Sequence, residues 1–154
     1  MKTKLLLVLF ALTFSSFTFD NVYVWEKYRL QITVPDDFEV AKNTDEEFEM
    51  EGDGMSLAIS IFAEKITLAD LEEATIEGAE AIKMTEIDQA HATKINQLDG
   101  FYVEGYLDDH RVMFAGLMDQ RTKTTLFVAI TFADDDANAE KEAFKIINSL
   151  KRLK

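Results

Sequence analysis

Two histidines, His91 and His110, are the only imidazoles in this 154-residue chain, and it contains no cysteine. A side-chain base titrating near neutrality must be one of these rings, and thiol nucleophiles, thiolate metal sites and disulfides are excluded. The densest chemical signature is Asp108-Asp109-His110-Arg111. Carboxylates beside an imidazole raise its basicity, so Asp108, Asp109 and His110 are candidate catalytic residues, as a general base or as a cation site. A polar hairpin turn uses the same residue types for their backbone geometry. Adjacent side chains on a turn seldom converge on one substrate, which makes the turn the preferred reading.

Asp134, Asp135 and Asp136, with Asn138, offer the oxygen donors that calcium prefers and are candidate metal ligands. They lack the alternating spacing and glycine of an EF-hand loop, while acidic residues opening a helix serve capping and the helix dipole. The chain has no G-x-S-x-G, phosphate-binding loop, dinucleotide glycine pattern or H-E-x-x-H. No cofactor is expected.

Residues 36–53 carry nine carboxylates against one lysine, Lys42. Such a run either docks a basic partner or forms the solvated rim of a hairpin. Asp36, Asp37 and Glu47 are its candidate binding residues. Tyr23 and Trp25 join them as candidate anchors, provided the N-terminal arm that bears them is exposed.

These residues must be positioned by regular elements. Tyr28, Leu30, Ile32 and Val34 alternate with polar neighbours and stop at Pro35, the period of a half-buried strand. Val22 and Val24 suit an earlier strand or arm. Met55, Leu57, Ile59 and Ile61 alternate after Gly52-Asp53-Gly54, which can fold them back on residues 47–51 as a hairpin. A helix is expected from Thr67, capped reciprocally with Asp70, with an apolar stripe of Leu68, Leu71, Thr75, Ala79 and Ile82. Gly78 inside it implies a close helix–sheet approach.

From Thr93 to Phe132 the pattern is β again, with turns expected at Leu98-Asp99-Gly100, Asp108-Asp109 and 120–123. Residues 112–118 are apolar or glycine throughout, so that strand needs cover on both faces. Ala143, Phe144, Ile147, Leu150 and Leu153 stripe a terminal helix, with aspartates 134–136 at its start and Lys151, Arg152 and Lys154 at its end. The order ββββ-α-ββββ-α gives an α+β fold, an antiparallel sheet flanked by helices.

Lys2 and Lys4 precede an apolar run, 5–14, followed by Ser15 and Ser16, the layout of a secretory signal peptide. The run is shorter than the ~20 residues of a membrane span. Residues 1–19 are therefore expected to be a signal peptide cleaved between Ser15 and Asp20, and residues 20–154 one α+β domain, periplasmic or secreted. The formal net charge is −13. Losing Lys2 and Lys4 with the leader makes it −15, which disfavours nucleic acid and anionic lipid.

The segments Tyr28-x-Leu30-x-Ile32-x-Val34-Pro35 with Phe38, Gly54-x-x-Leu57, Thr67-x-x-x-Leu71, Gly100-Phe101-x-Val103 and Ile147-x-Ser149-Leu150 resemble the PsbP-like and DcrB-like group of α/β/α sandwich domains. That group also includes a nuclear regulator of the Ran GTPase. Asp37-Phe38 stands where the group often has glycine-tryptophan. The resemblance implies a binding or assembly module, with no site transferred. The expectation is an exported noncatalytic module of the bacterial cell envelope whose partner is another protein, without membrane insertion after cleavage. The alternatives are a hydrolase-type enzyme using residues 108–111 and a calcium-dependent structural domain.

Overall fold

A computed structural model describes residues 20–52 and 54–154. The leader expected at residues 1–19 lies outside the described residues. Among the described residues ten strands and two α-helices follow in the order β1 (Asp20–Trp25), β2 (Leu30–Pro35), β3 (Glu39–Asn43), β4 (Glu47–Gly52), β5 (Met55–Phe62), α1 (Leu71–Ala81), β6 (His91–Ile95), β7 (Leu98–Leu107), β8 (His110–Asp119), β9 (Thr125–Ala133), α2 (Ala137–Ser149) and β10 (Lys151–Arg152), with one 3-10 turn, Glu26–Tyr28, between β1 and β2.

The strands form two antiparallel sheets, β3-β4-β5-β9-β8-β7-β6 and the smaller β1-β2-β10. Alternation along β4, β5, β8 and β9 sends Phe48, Met50, Leu57, Ile59, Met113, Ala115, Val128 and Ile130 to one face of the large sheet. There they meet Trp25, Leu30, Ile32 and Val34 of the small sheet and Ala143, Ile146 and Ile147 of α2. On the opposite face α1 packs over β7 and β8, joining Ala79 to Val103, Val112 and Phe114. One cover layer is thus a helix. The other is α2 with the three-stranded sheet beside it, so helices flank the antiparallel sheet as expected and the small sheet is an addition.

Several local expectations are corrected. Thr67 and Asp70 do exchange side-chain and backbone bonds, but they close a turn, and α1 begins at Leu71. Its buried stripe is Leu71, Thr75 and Ala79, with Leu68 and Ile82 exposed at its ends. The terminal helix stops at Ser149, so Lys151 and Arg152 do not face its dipole; they pair with β2 as β10. The turn assigned to Leu98-Asp99-Gly100 lies instead at Asn96-Gln97, where Asn96 takes the left-handed conformation. Gly100 is inside β7, where only glycine fits, since a Cβ there would lie 1.9 Å from the Gly116 carbonyl oxygen. The approach implied by Gly78 is present, since a Cβ there would lie 3.0 Å from the Phe114 ring.

Candidate functional site: an acidic sheet face

On the α1 side of the large sheet, the strands beyond β9 carry a different kind of surface. Burying Phe48 and Met50 on the inner face forces Glu47, Glu49 and Glu51 to the outer one. Across the ladders Glu47 meets Ser60, Glu49 meets Ala58, and Glu51 meets Ser56. The next strand adds Ala129 opposite Ala58 and Thr131 opposite Ser56. The result is a row of glutamates beside a band of small residues two strands wide. Ala58 at its centre is exposed.

Strand β3 adds to the charge. Glu39 lies directly opposite Glu51, a like-charge pair that opposes folding, and Lys42 lies opposite Glu49. Lys42 is bound by Glu47 and sits 3.7 Å from Glu49. The hydrogen bond that Lys42 donates to Glu47 raises its pKa, outweighing the opposing effect of burial, with both glutamates' charges adding to the rise. Asp37, Glu39 and Glu51 line one depression of about 290 Å3 with Val40 and Ala41. Asp36 and Asp37 occupy the exposed turn between β2 and β3. Of the residues singled out in the sequence, Asp37 and Glu47 therefore belong to one acidic surface, and Glu39, Glu49 and Glu51 complete it.

Tyr23 and Trp25 do not lie on an exposed arm. Trp25 is 2 % exposed, stacks on Phe48 with ring centroids 5.9 Å apart, meets the edge of Tyr28 and donates its indole N–H to the Thr44 carbonyl at 2.9 Å. Tyr23 is half-buried, and its hydroxyl donates to the Phe38 carbonyl at 3.2 Å. The physical reason is that β1 pairs with β2 along its whole length, which turns Tyr23 and Trp25 toward the large sheet.

Asp108 and Asp109 form the β7–β8 turn, with Asp108 at φ 53°. His110 and Arg111 are successive strand residues and so point to opposite faces. His110 is exposed and lines a shallow depression of about 360 Å3 with Glu51, Ser56 and Thr131. Among the described residues no hydrogen bond joins its side chain to them. Arg111, on the other face, is bound by Glu104 and lies 3.3 Å from Glu140 and 3.7 Å from Asp134, its guanidinium over the Phe132 ring. Burial opposes its charge, but hydrogen bonds and charge from Glu140 and Glu104 hold its pKa above the ordinary value.

Asp136 caps α2, its carboxylate accepting the N–H groups of Asn138 and Ala139. Asp134 accepts the Tyr106 hydroxyl at 3.2 Å. Asp135 is exposed, and no metal-holding group of carboxylates and histidines occurs among the described residues.

Sequence reasoning missed Asp119. It is 1 % exposed and accepts Arg152 at 2.7 Å and the Arg121 backbone N–H at 2.8 Å. Burial opposes its ionisation, yet these two partners hold its carboxyl below the usual range. The available signal was a lone carboxylate closing the apolar run 112–118. Its bond to Arg152 ties β10 to the end of β8 and has no substrate-facing geometry.

No protein-family model matches the chain, and no curated protein matches its sequence. Solved structures do share its fold. The Ran-binding protein Mog1p of Saccharomyces cerevisiae superposes with a TM-score of 0.63 at 11 % identity, over 87 % of this chain and 95 % of the yeast protein. A point mutant of Mog1 gives 0.59 at 13 % identity, over 86 % and 95 %. A protein of Bacteroides thetaiotaomicron gives 0.54 at 13 % identity over 88 % of this chain; the chain spans about half, 48 %, of that protein. These likenesses establish the Mog1/PsbP-like α+β fold.

Proposed function

We propose that this chain is an exported, noncatalytic binding domain of the bacterial cell envelope that contacts another protein through the acidic face of β3, β4 and β5. The observation that carries this reading is the row Glu47, Glu49 and Glu51 facing solvent beside exposed Ala58, with Glu39 held opposite Glu51 against electrostatic preference. Sequences depart from local optimality chiefly where function asks for it. A cationic protein surface laid on this face would relieve the repulsion and be steered to it by the chain's negative field. One further point supports a binding role: the aligned solved structures include a Ran-binding protein. The placement in the envelope rests on the leader-like residues 1–19.

The test is affinity capture from an envelope extract at low and high salt, with wild type beside a variant carrying Glu47→Gln, Glu49→Gln and Glu51→Gln. A stoichiometric partner that wild type retains and the variant loses supports the reading. Equal capture by both, or a partner recovered only at low salt with no stoichiometry, removes the face from the proposal.

A further inference from the structure

The large sheet ends in two edges that are treated differently. Edge β3 is fully exposed, has a register shift between Val40 and Lys42, and carries Glu39 and Lys42. Bulges and charges are the usual guards against strand addition. Edge β6 has no bulge, and its one lysine is paired within the sheet. His91 to Ile95 pair with β7 in unbroken register, without proline or carboxylate. The single cation, Lys94, is drawn back to Asp99 on β7 at 3.1 Å. The turn that follows is clamped, since the Asn96 side chain donates to the Leu150 carbonyl at 2.6 Å.

Which backbone groups face outward follows from the ladder. Thr85 and Tyr106 exchange both backbone hydrogen bonds, and Asp88 donates to the Glu104 carbonyl, on the β6 side of β7. Alternation then directs Tyr102, Gly100 and Leu98 toward β6, where their partners are His91, Thr93 and Ile95. Ala92 and Lys94 consequently point their N–H and C=O groups away from the sheet. No partner for these four groups occurs among the described residues.

We infer that β6 is a self-association edge that pairs antiparallel with β6 of a second copy of this chain about a two-fold axis at Thr93. In that register Ala92 faces Lys94 of the copy and Lys94 faces its Ala92, so all four outward groups on each chain are used. The two Thr93 side chains meet as a non-hydrogen-bonded cross-strand pair, a favourable Thr–Thr contact. No like charges are opposed. The arrangement is isologous, and the two large sheets would run on as one. β6 itself carries no carboxylate, so two copies of a chain of net charge −13 meet less repulsion there than across the acidic face. This inference is independent of the acidic face, which lies at the other end of the sheet.

The salt response distinguishes the two proposals. Association of like-charged copies strengthens with salt, whereas binding of a cationic partner weakens. Sedimentation of the purified protein over a concentration series should show its mass doubling, more readily at high salt. Ala92→Pro removes an outward N–H without touching the bonds to β7, and should weaken association by at least about tenfold, with two hydrogen bonds lost per dimer. If Ala92→Pro does not fold, Thr93→Asp decides: it keeps every backbone donor and sets two carboxylates across the axis. A monomer at every concentration and salt, a dimer that salt dissolves, or folded variants that dimerise as wild type does would each overturn the inference.

Discussion

One face of the large sheet is built in two ways. Along a single cross-strand row, Val103 and Phe114 lie buried beneath α1, Ala129 is half-buried, Ala58 is exposed, and Glu49 and Lys42 meet solvent. Collapse on this face thus stops at about β9. The reverse face is apolar from Phe48 and Met50 to Leu98 and Ile95, and is sealed by the small sheet and α2. Stability therefore resides mainly in the reverse layer, and the acidic half can change its chemistry with little effect on folding. Substitutions can separate holding the fold from making contacts.

The largest effect is expected in the sealed layer. Trp25→Ala removes a ring that is buried, stacked and hydrogen-bonded, and should lower unfolding free energy by about 3–5 kcal/mol. Glu49→Gln on the open half should stay within about 0.5 kcal/mol. Urea titration of the two variants checks the contrast. A tryptophan variant as stable as wild type would break it.

Asp119→Asn should come next, at about 1–3 kcal/mol near neutral pH, because charge-assisted bonds to Arg152 and the Arg121 N–H are weakened in a buried place. The pH dependence has a definite sign. The folded carboxyl sits below its unfolded value, so its contribution is complete above the unfolded pKa and is lost as pH falls through the folded one. Melting temperatures of the variant should fall less steeply over that acid range than those of wild type. Parallel curves would mean that the Asp119–Arg152 contact does not help fasten β10.

The elements legible in the sequence were those with one buried face and one wet face. β2 and β5 showed their period because Leu30, Ile32, Leu57 and Ile59 alternate with polar or small residues. β3 left no such trace because every one of its residues is exposed. The second sheet was also hidden. Its strand β10 has two residues, and the alternation of β2 tells which side chains are buried, not which layer buries them. Gly100 misled because a glycine that makes room for a neighbouring backbone reads like a turn glycine in one dimension. Residues 36–53 revealed their charge, but gathering Glu39, Glu47, Glu49 and Glu51 on one face required the β3–β4 register. Trp25 could be read as an anchor because an aromatic at a chain's entry suits a core and an interface equally well.

The smallest expected effect on stability is the most discriminating for function. Glu51 faces Glu39 directly, and like charges in that position cost roughly 0.2–1 kcal/mol. Glu51→Gln should therefore raise unfolding free energy by a few tenths of a kcal/mol, most clearly at low ionic strength and less as salt screens the pair. The same substitution removes a carboxylate from the surface assigned to the partner, so capture should weaken. A gain in stability with a loss of binding is what a surface shaped for contact produces. A merely solvated rim would give the first change without the second. A partner-binding role that bypasses this face would leave capture intact, and the two halves of the sheet face would then differ in composition but not in purpose.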